Sequence, residues 1–73
     1  MTLDKLKINT SATILSIDDS IYKNRLISLG FYKGNTVKLE QISVFGDPCI
    51  VEVCNTRLAI SKNILKTITV IIN

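Results

Sequence analysis

The 73-residue chain has no histidine and no tryptophan, and only one proline, three glycines, two phenylalanines and two tyrosines. Without histidine there is no imidazole to serve as a general base near neutral pH or as a transition-metal ligand. No serine or cysteine stands in a nucleophile-elbow pattern, and Gly30 and Gly34 belong to no GxxxxGK[ST] phosphate loop. Hydrolysis and nucleotide cleavage therefore lack their usual parts, and the chain is not expected to be an enzyme. No apolar run approaches the ~20 residues that cross a bilayer. The start, Met1-Thr2-Leu3-Asp4-Lys5, also lacks the apolar stretch of a signal peptide. A soluble, cytoplasmic protein without membrane insertion is expected.

The chemistry that remains is thin. Cys49 and Cys54 lie five apart in a predicted strand, so their side chains are expected on opposite faces, unsuited to a disulfide or a shared ligand site. Both read as reduced, small apolar fillers. Asp18, Asp19 and Asp47 could hold a hard cation weakly, but helix capping and turn formation explain each locally. No cofactor and no metal site are expected. Lysine and arginine exceed aspartate and glutamate by nine to six, a net charge of +3. That mild surplus favours an anionic partner, an acidic protein patch or an acidic membrane leaflet, without naming one.

What is abundant is aliphatic. With 47% hydrophobic residues, a single domain over residues 1–73 can bury a core, although at this size the net stability is about 3–5 kcal/mol. The apolar period is mostly two, so the class is mainly β with one short α-helix. A first strand is predicted from Ala12 to Ile17, with Leu15 and Ile17 on one face and Ile14 on the other. Ser20 reads as the N-cap of a helix running to about Leu29, its buried stripe formed by Tyr22, Leu26 and Leu29. From Thr36 to Val44, Val37 and Leu39 point inward, Glu40-Gln41 breaks phase, which implies a bulge, and Ile42 and Val44 resume on the other parity. A strand from Cys49 to Cys54 comes next with Val51 and Val53 inward, then a tight hairpin at Asn55-Thr56 and a strand from Arg57 to Ser61. Ser61 caps a brief turn from Lys62 to Leu65, and Ile68, Val70 and Ile72 make the last inward row.

The most informative stretch runs from Arg25 to Val37. It joins the helix to a strand through Gly30, where a helix wants a left-handed stop, and Lys33-Gly34, which sets a turn. The pattern R-L-x-x-L-G-F-x-x-G-x-x-V resembles the FeoA family, small cytoplasmic proteins that accompany the bacterial ferrous iron transporter. The resemblance covers nearly the whole chain. Leu3, Leu6-Lys7 and Ala12-Thr13-Ile14 are similar to the family's opening, Gly46-Asp47-Pro48 to its hairpin turn, and Leu58-Ala59-Ile60, Ile64 and Ile68-Thr69-Val70 to its closing strands. Two positions depart: Asn9 replaces a family-typical glycine, and Ser61 stands where an arginine usually comes after the L-A-I run. Asparagine tolerates positive φ; Ser61 removes a cation.

The resemblance implies an SH3-like barrel of five or six strands and a non-enzymatic role in iron uptake. The implied partner is the cytoplasmic GTP-binding region of the transporter, a membrane GTPase, met at the inner face of the membrane. It also implies a link to transition-metal handling, yet a ferrous site of two histidines and a carboxylate cannot be built here. The helix and adjoining turn are the expected contact region: Arg25 as a charged rim, with Leu26, Leu29, Gly30, Phe31 and Tyr32 shaping an apolar pocket. Ile27 falls off the buried stripe and is a further candidate contact. Two alternatives stand beside this. The same barrel ends metal-dependent repressors, which suggests a regulatory module, although the chain begins with methionine and shows no helix-turn-helix. A nucleic-acid-binding barrel would use Tyr32 and Phe45 as stacking platforms, with Lys33 and Lys38 nearby; no nucleic acid is expected.

Overall fold

Period-two alternation builds five strands in the computed structural model, which describes residues 1–73. A single 3₁₀ turn, Leu3–Lys5, precedes β1 (Ser11–Ile17), α1 (Lys23–Leu29), β2 (Thr36–Ile42), β3 (Cys49–Val53), β4 (Thr56–Ile60), α2 (Lys62–Leu65) and β5 (Ile68–Ile72). All pairings are antiparallel, in the order β4-β3-β2-β1-β5. This is the expected small mainly-β domain, with the seam between β4 and β5 left without a ladder.

The sheet wraps one cluster of fifteen buried residues, to which Leu3 and Leu6 before β1, Leu26 on α1, Phe31 after it and Leu65 on α2 all contribute. Two bulges let it do so. In β2 the register slips between Leu39 and Gln41, at the predicted phase break. In β1 it slips between Ile14 and Ser16, so Leu15 is extra, half exposed, and parted from Ile17, which turns back against the core. Ala12 and Ile14 form the inward row instead. An extra residue reverses the facing of the strand beyond it, and for β1 the sequence pattern did not reveal it.

Other expectations are corrected at element ends. β2 stops at Ile42, and Val44 and Phe45 stand almost fully exposed in the next turn rather than resuming a row. Ile72, at the last position of β5, is half exposed, while Ile68 and Val70 are buried. The β3–β4 turn is Cys54-Asn55, both at positive φ (51° and 59°), the geometry of a two-residue hairpin whose twist matches its strands. It lies one residue earlier than expected. Cys54 is consequently an exposed turn residue and no apolar filler, whereas Cys49 is buried in β3.

Burial pushes the Cys49 thiol up, with Lys62 opposing and Asp47 and Asp4 adding to the rise. The unfolded chain would ionise this thiol first and so bind fewer protons. The contribution to stability is therefore present below the ordinary thiol range and lost as pH climbs through it toward the raised native value. Native protein at neutral pH should take up one equivalent of iodoacetamide at Cys54, the second reacting only on unfolding. Mass spectrometry of the alkylated protein checks this, and rapid double labelling would contradict the buried placement of Cys49.

Candidate functional site

Helix α1 begins later than its sequence suggests. Ser20 Oγ accepts from the Tyr22 amide at 3.1 Å and heads a preceding turn, so Tyr22 becomes the N-cap residue of a seven-residue helix. Its ring is half exposed instead of joining a buried stripe. Leu26 alone is buried from α1, with Leu29 packed partly against the core. The helix ends as predicted: Gly30 at φ 112° closes it, and the Phe31 amide reaches back to the Leu26 carbonyl at 2.9 Å.

This leaves an open groove of about 360 Å³ between α1, the end of β4 and α2. Leu26, Leu29, Leu58 and Ile64 form its apolar floor, and Arg25 stands exposed at its side. The ion pairs of the chain are Lys23–Asp19 (3.0 Å) and Arg57–Glu40 (2.7 Å), so the Arg25 guanidinium has no carboxylate partner. Ser61 lines the same groove. The position where the resemblance leads one to expect an arginine thus bears on this site, and Arg25 is the cation left in its lining.

The structure divides the six expected contact residues. Arg25, Leu26 and Leu29 share the groove. Gly30 and Phe31 are buried, Phe31 completely, and cannot touch a partner in the native state. Tyr32 faces a different, shallower depression of about 380 Å³ with Leu15, Ile17, Ile27, Lys23 and Lys33. Sequence reading missed Leu58, Ile60, Ser61 and Ile64, which it placed only as strand and turn residues. Their signal was the apolar run Leu58-Ala59-Ile60 beside a capped turn, which carries no mark of exposure.

The rival aromatic platform does not assemble. Tyr32 precedes β2 and Phe45 comes after it, so the two lie beyond opposite ends of a strand that at about 3.3 Å per residue is roughly 20 Å long. No group of three or more histidine, cysteine, aspartate or glutamate side chains converges anywhere in the chain. Asp47 instead accepts from the Lys62 amide at 2.8 Å, and Asp19 pairs with Lys23. Folding should accordingly be independent of metal: melting curves with zinc, with ferrous iron under reductant, and with chelator should coincide. A shift of more than a few degrees in any of them would disprove this.

The FeoA domain family model matches residues 1–72. No curated protein matches the sequence. Among solved structures, FeoA of Chlorobium tepidum is 30% identical at a TM-score of 0.90, over 99% of this chain and 70% of that one. FeoA of Stenotrophomonas maltophilia, seen in complex with zinc and put forward as an SH3 domain protein and candidate ferrous iron transport activating factor, is 36% identical at a TM-score of 0.86, over 96% and 88%. The manganese regulator SloR, at 14% identity and a TM-score of 0.78, covers 99% of this chain and 34% of its own length, a likeness of fold alone. The match along all but the last residue, joined to two relatives at 30% identity or above with the same fold, establishes that this chain belongs to the FeoA family of iron transport accessory proteins.

Proposed function

We propose that this protein is a non-enzymatic accessory of bacterial ferrous iron uptake that docks through the α1 groove onto the cytoplasmic GTP-binding region of the iron transporter. The observation that carries this reading is the groove itself, an apolar floor beside an arginine that no carboxylate of the chain neutralises. Surface arginines free of intramolecular pairing are suited to anchor an interface. The Stenotrophomonas relative, offered as an activating factor of the same transport process, supports the assignment.

Arg25→Glu tests it. Reversing a rim charge slows encounter and raises salt sensitivity, so affinity for the transporter's cytoplasmic region should fall by about tenfold at low ionic strength. The fold should be kept, because Arg25 is exposed and unpaired. A binding titration, with circular dichroism and a melting curve on the same sample, reads both. Unchanged binding would remove this face from contention, and tight binding of single-stranded RNA by the parent protein would promote the rival.

A further inference from the structure

The groove has a second property that its side chains do not supply. Strands β4 and β5 are the two ends of the sheet, and the chain treats them differently. Along β5, the Val70 amide donates to the Met1 carbonyl at 2.8 Å, the Met1 amino group donates back to Val70 at 3.3 Å, and Thr2 bridges Thr69. That edge is covered. Along β4, no hydrogen bond within the chain reaches the outer edge.

The register says which groups are left over. A two-residue turn between Val53 and Thr56 makes those two a hydrogen-bonded pair. Pairs then alternate, so Thr56, Leu58 and Ile60 exchange bonds with β3 while the N–H and C=O groups of Arg57 and Ala59 face away from it. Four consecutive residues, Leu58 to Ser61, line the groove. Side chains of a strand alternate between faces, so a run of neighbours lines a cavity when the backbone edge itself borders it. Natural proteins cover or blunt such edges. Here the blunting charge, Arg57, is drawn to Glu40 on β2 at 2.7 Å.

We propose that the groove takes an extended segment of the partner that adds to β4 as a further antiparallel or parallel strand. Main-chain bonds to Arg57 and Ala59 hold it, its alternate apolar side chains sit on Leu29, Leu58 and Ile64, and an acidic residue meets Arg25. This rests on the reading that the groove is the docking face and specifies what docks. A bare strand edge selects an extended chain over a helix, because only an extended chain presents donors and acceptors at matching spacing. Charge selects a foreign acidic segment over a second copy, since two copies each carry +3 and the groove's unpaired cation, Arg25, calls for a carboxylate.

Ala59→Pro is the test. It deletes an outward-facing donor and leaves the β3 ladder intact, the position at which a sheet tolerates proline. Ala59→Ser keeps the donor and controls for the side chain. With the transporter's cytoplasmic region as probe, strand addition requires that the Arg57 and Ala59 amides become protected from hydrogen exchange. It also requires that Ala59→Pro weaken binding by about tenfold, while Ala59→Ser binds like the parent. Binding without that protection, indifferent to Ala59→Pro, would overturn strand addition and leave the docking face standing. If the region does not bind at all, the docking reading fails, and a ten-residue peptide alternating valine with threonine and glutamate decides the rest. Protection of Arg57 and Ala59 at saturating peptide would keep the edge as a strand acceptor, and its absence would overturn it. Dimers of the free protein that Ala59→Pro dissolves would give the edge to a second copy and overturn the foreign segment.

Discussion

Gly30→Val should destabilise the protein by about 2–4 kcal/mol, most of what a domain of this size possesses. Two separate costs meet at this position. At φ 112° any L-residue is strained, and a β-branched one most of all. A Cβ built there would also lie 2.7 Å from Cys54 Sγ and 3.3 Å from a Val53 methyl, closer than packed atoms approach. Gly34, at φ 92° with open space around it, isolates the first cost; Gly34→Val should lose only about 1–2 kcal/mol. The second cost is relievable, because the offending sulfur ends an exposed side chain whose one partner is the Asn35 side-chain Nδ2, donating at 3.3 Å. Combining Gly30→Ala with Cys54→Ala should therefore be milder than the sum of the two single changes. Denaturant midpoints for the set decide it. Equal losses at Gly30 and Gly34 would mean that the contact with the β3–β4 turn contributes nothing.

That contact shows where sequence reading reached and where it stopped. The glycine stop, the Ser61 cap and the β2 bulge were all legible, because each is written in a few adjacent residues whose backbone preferences are strong. The positive φ of Asn9, 64°, belongs with them. The Gly30–Cys54 approach was invisible, since nothing local couples residues twenty-four positions apart. The bulge at Leu15 escaped for the opposite reason: a run of Ile14-Leu15-Ser16-Ile17 supports either phase, and only pairing with Thr69 and Val70 chooses. The candidate site was half legible. Arg25, Leu26 and Leu29 share one helix, and helical periodicity gathers them. Their opposite wall, Leu58 to Ser61, is brought there by the path of the sheet. Exposure was the least legible quantity: Tyr22, expected in the buried stripe, is half exposed, and Val44, expected in a resumed row, stands almost fully exposed.

Phe31→Ala should be among the most damaging truncations in the chain. Phe31 follows the helix stop at Gly30, and its side chain is wholly buried and is the largest such residue in the chain. It belongs to the same buried cluster as Leu26 from α1 and Leu39 and Val51 from the sheet, so its loss is felt in the one core that helix and sheet share. Truncation removes the transfer free energy of the ring and leaves a void that close-packed strands cannot collapse to fill, a cost of about 3–5 kcal/mol. Against a net stability of about the same size, the variant should be largely unfolded at 25 °C. Tyr32→Ala, one residue on and half exposed, should shift stability by no more than about 0.5 kcal/mol. Circular dichroism melts on the two variants separate an anchor of the core from an anchor of an interface. A Phe31→Ala protein that melts with the parent but loses its partner would return Phe31 to the contact surface, and a folded Tyr32→Ala protein with undiminished binding would confine docking to the groove lined by Arg25.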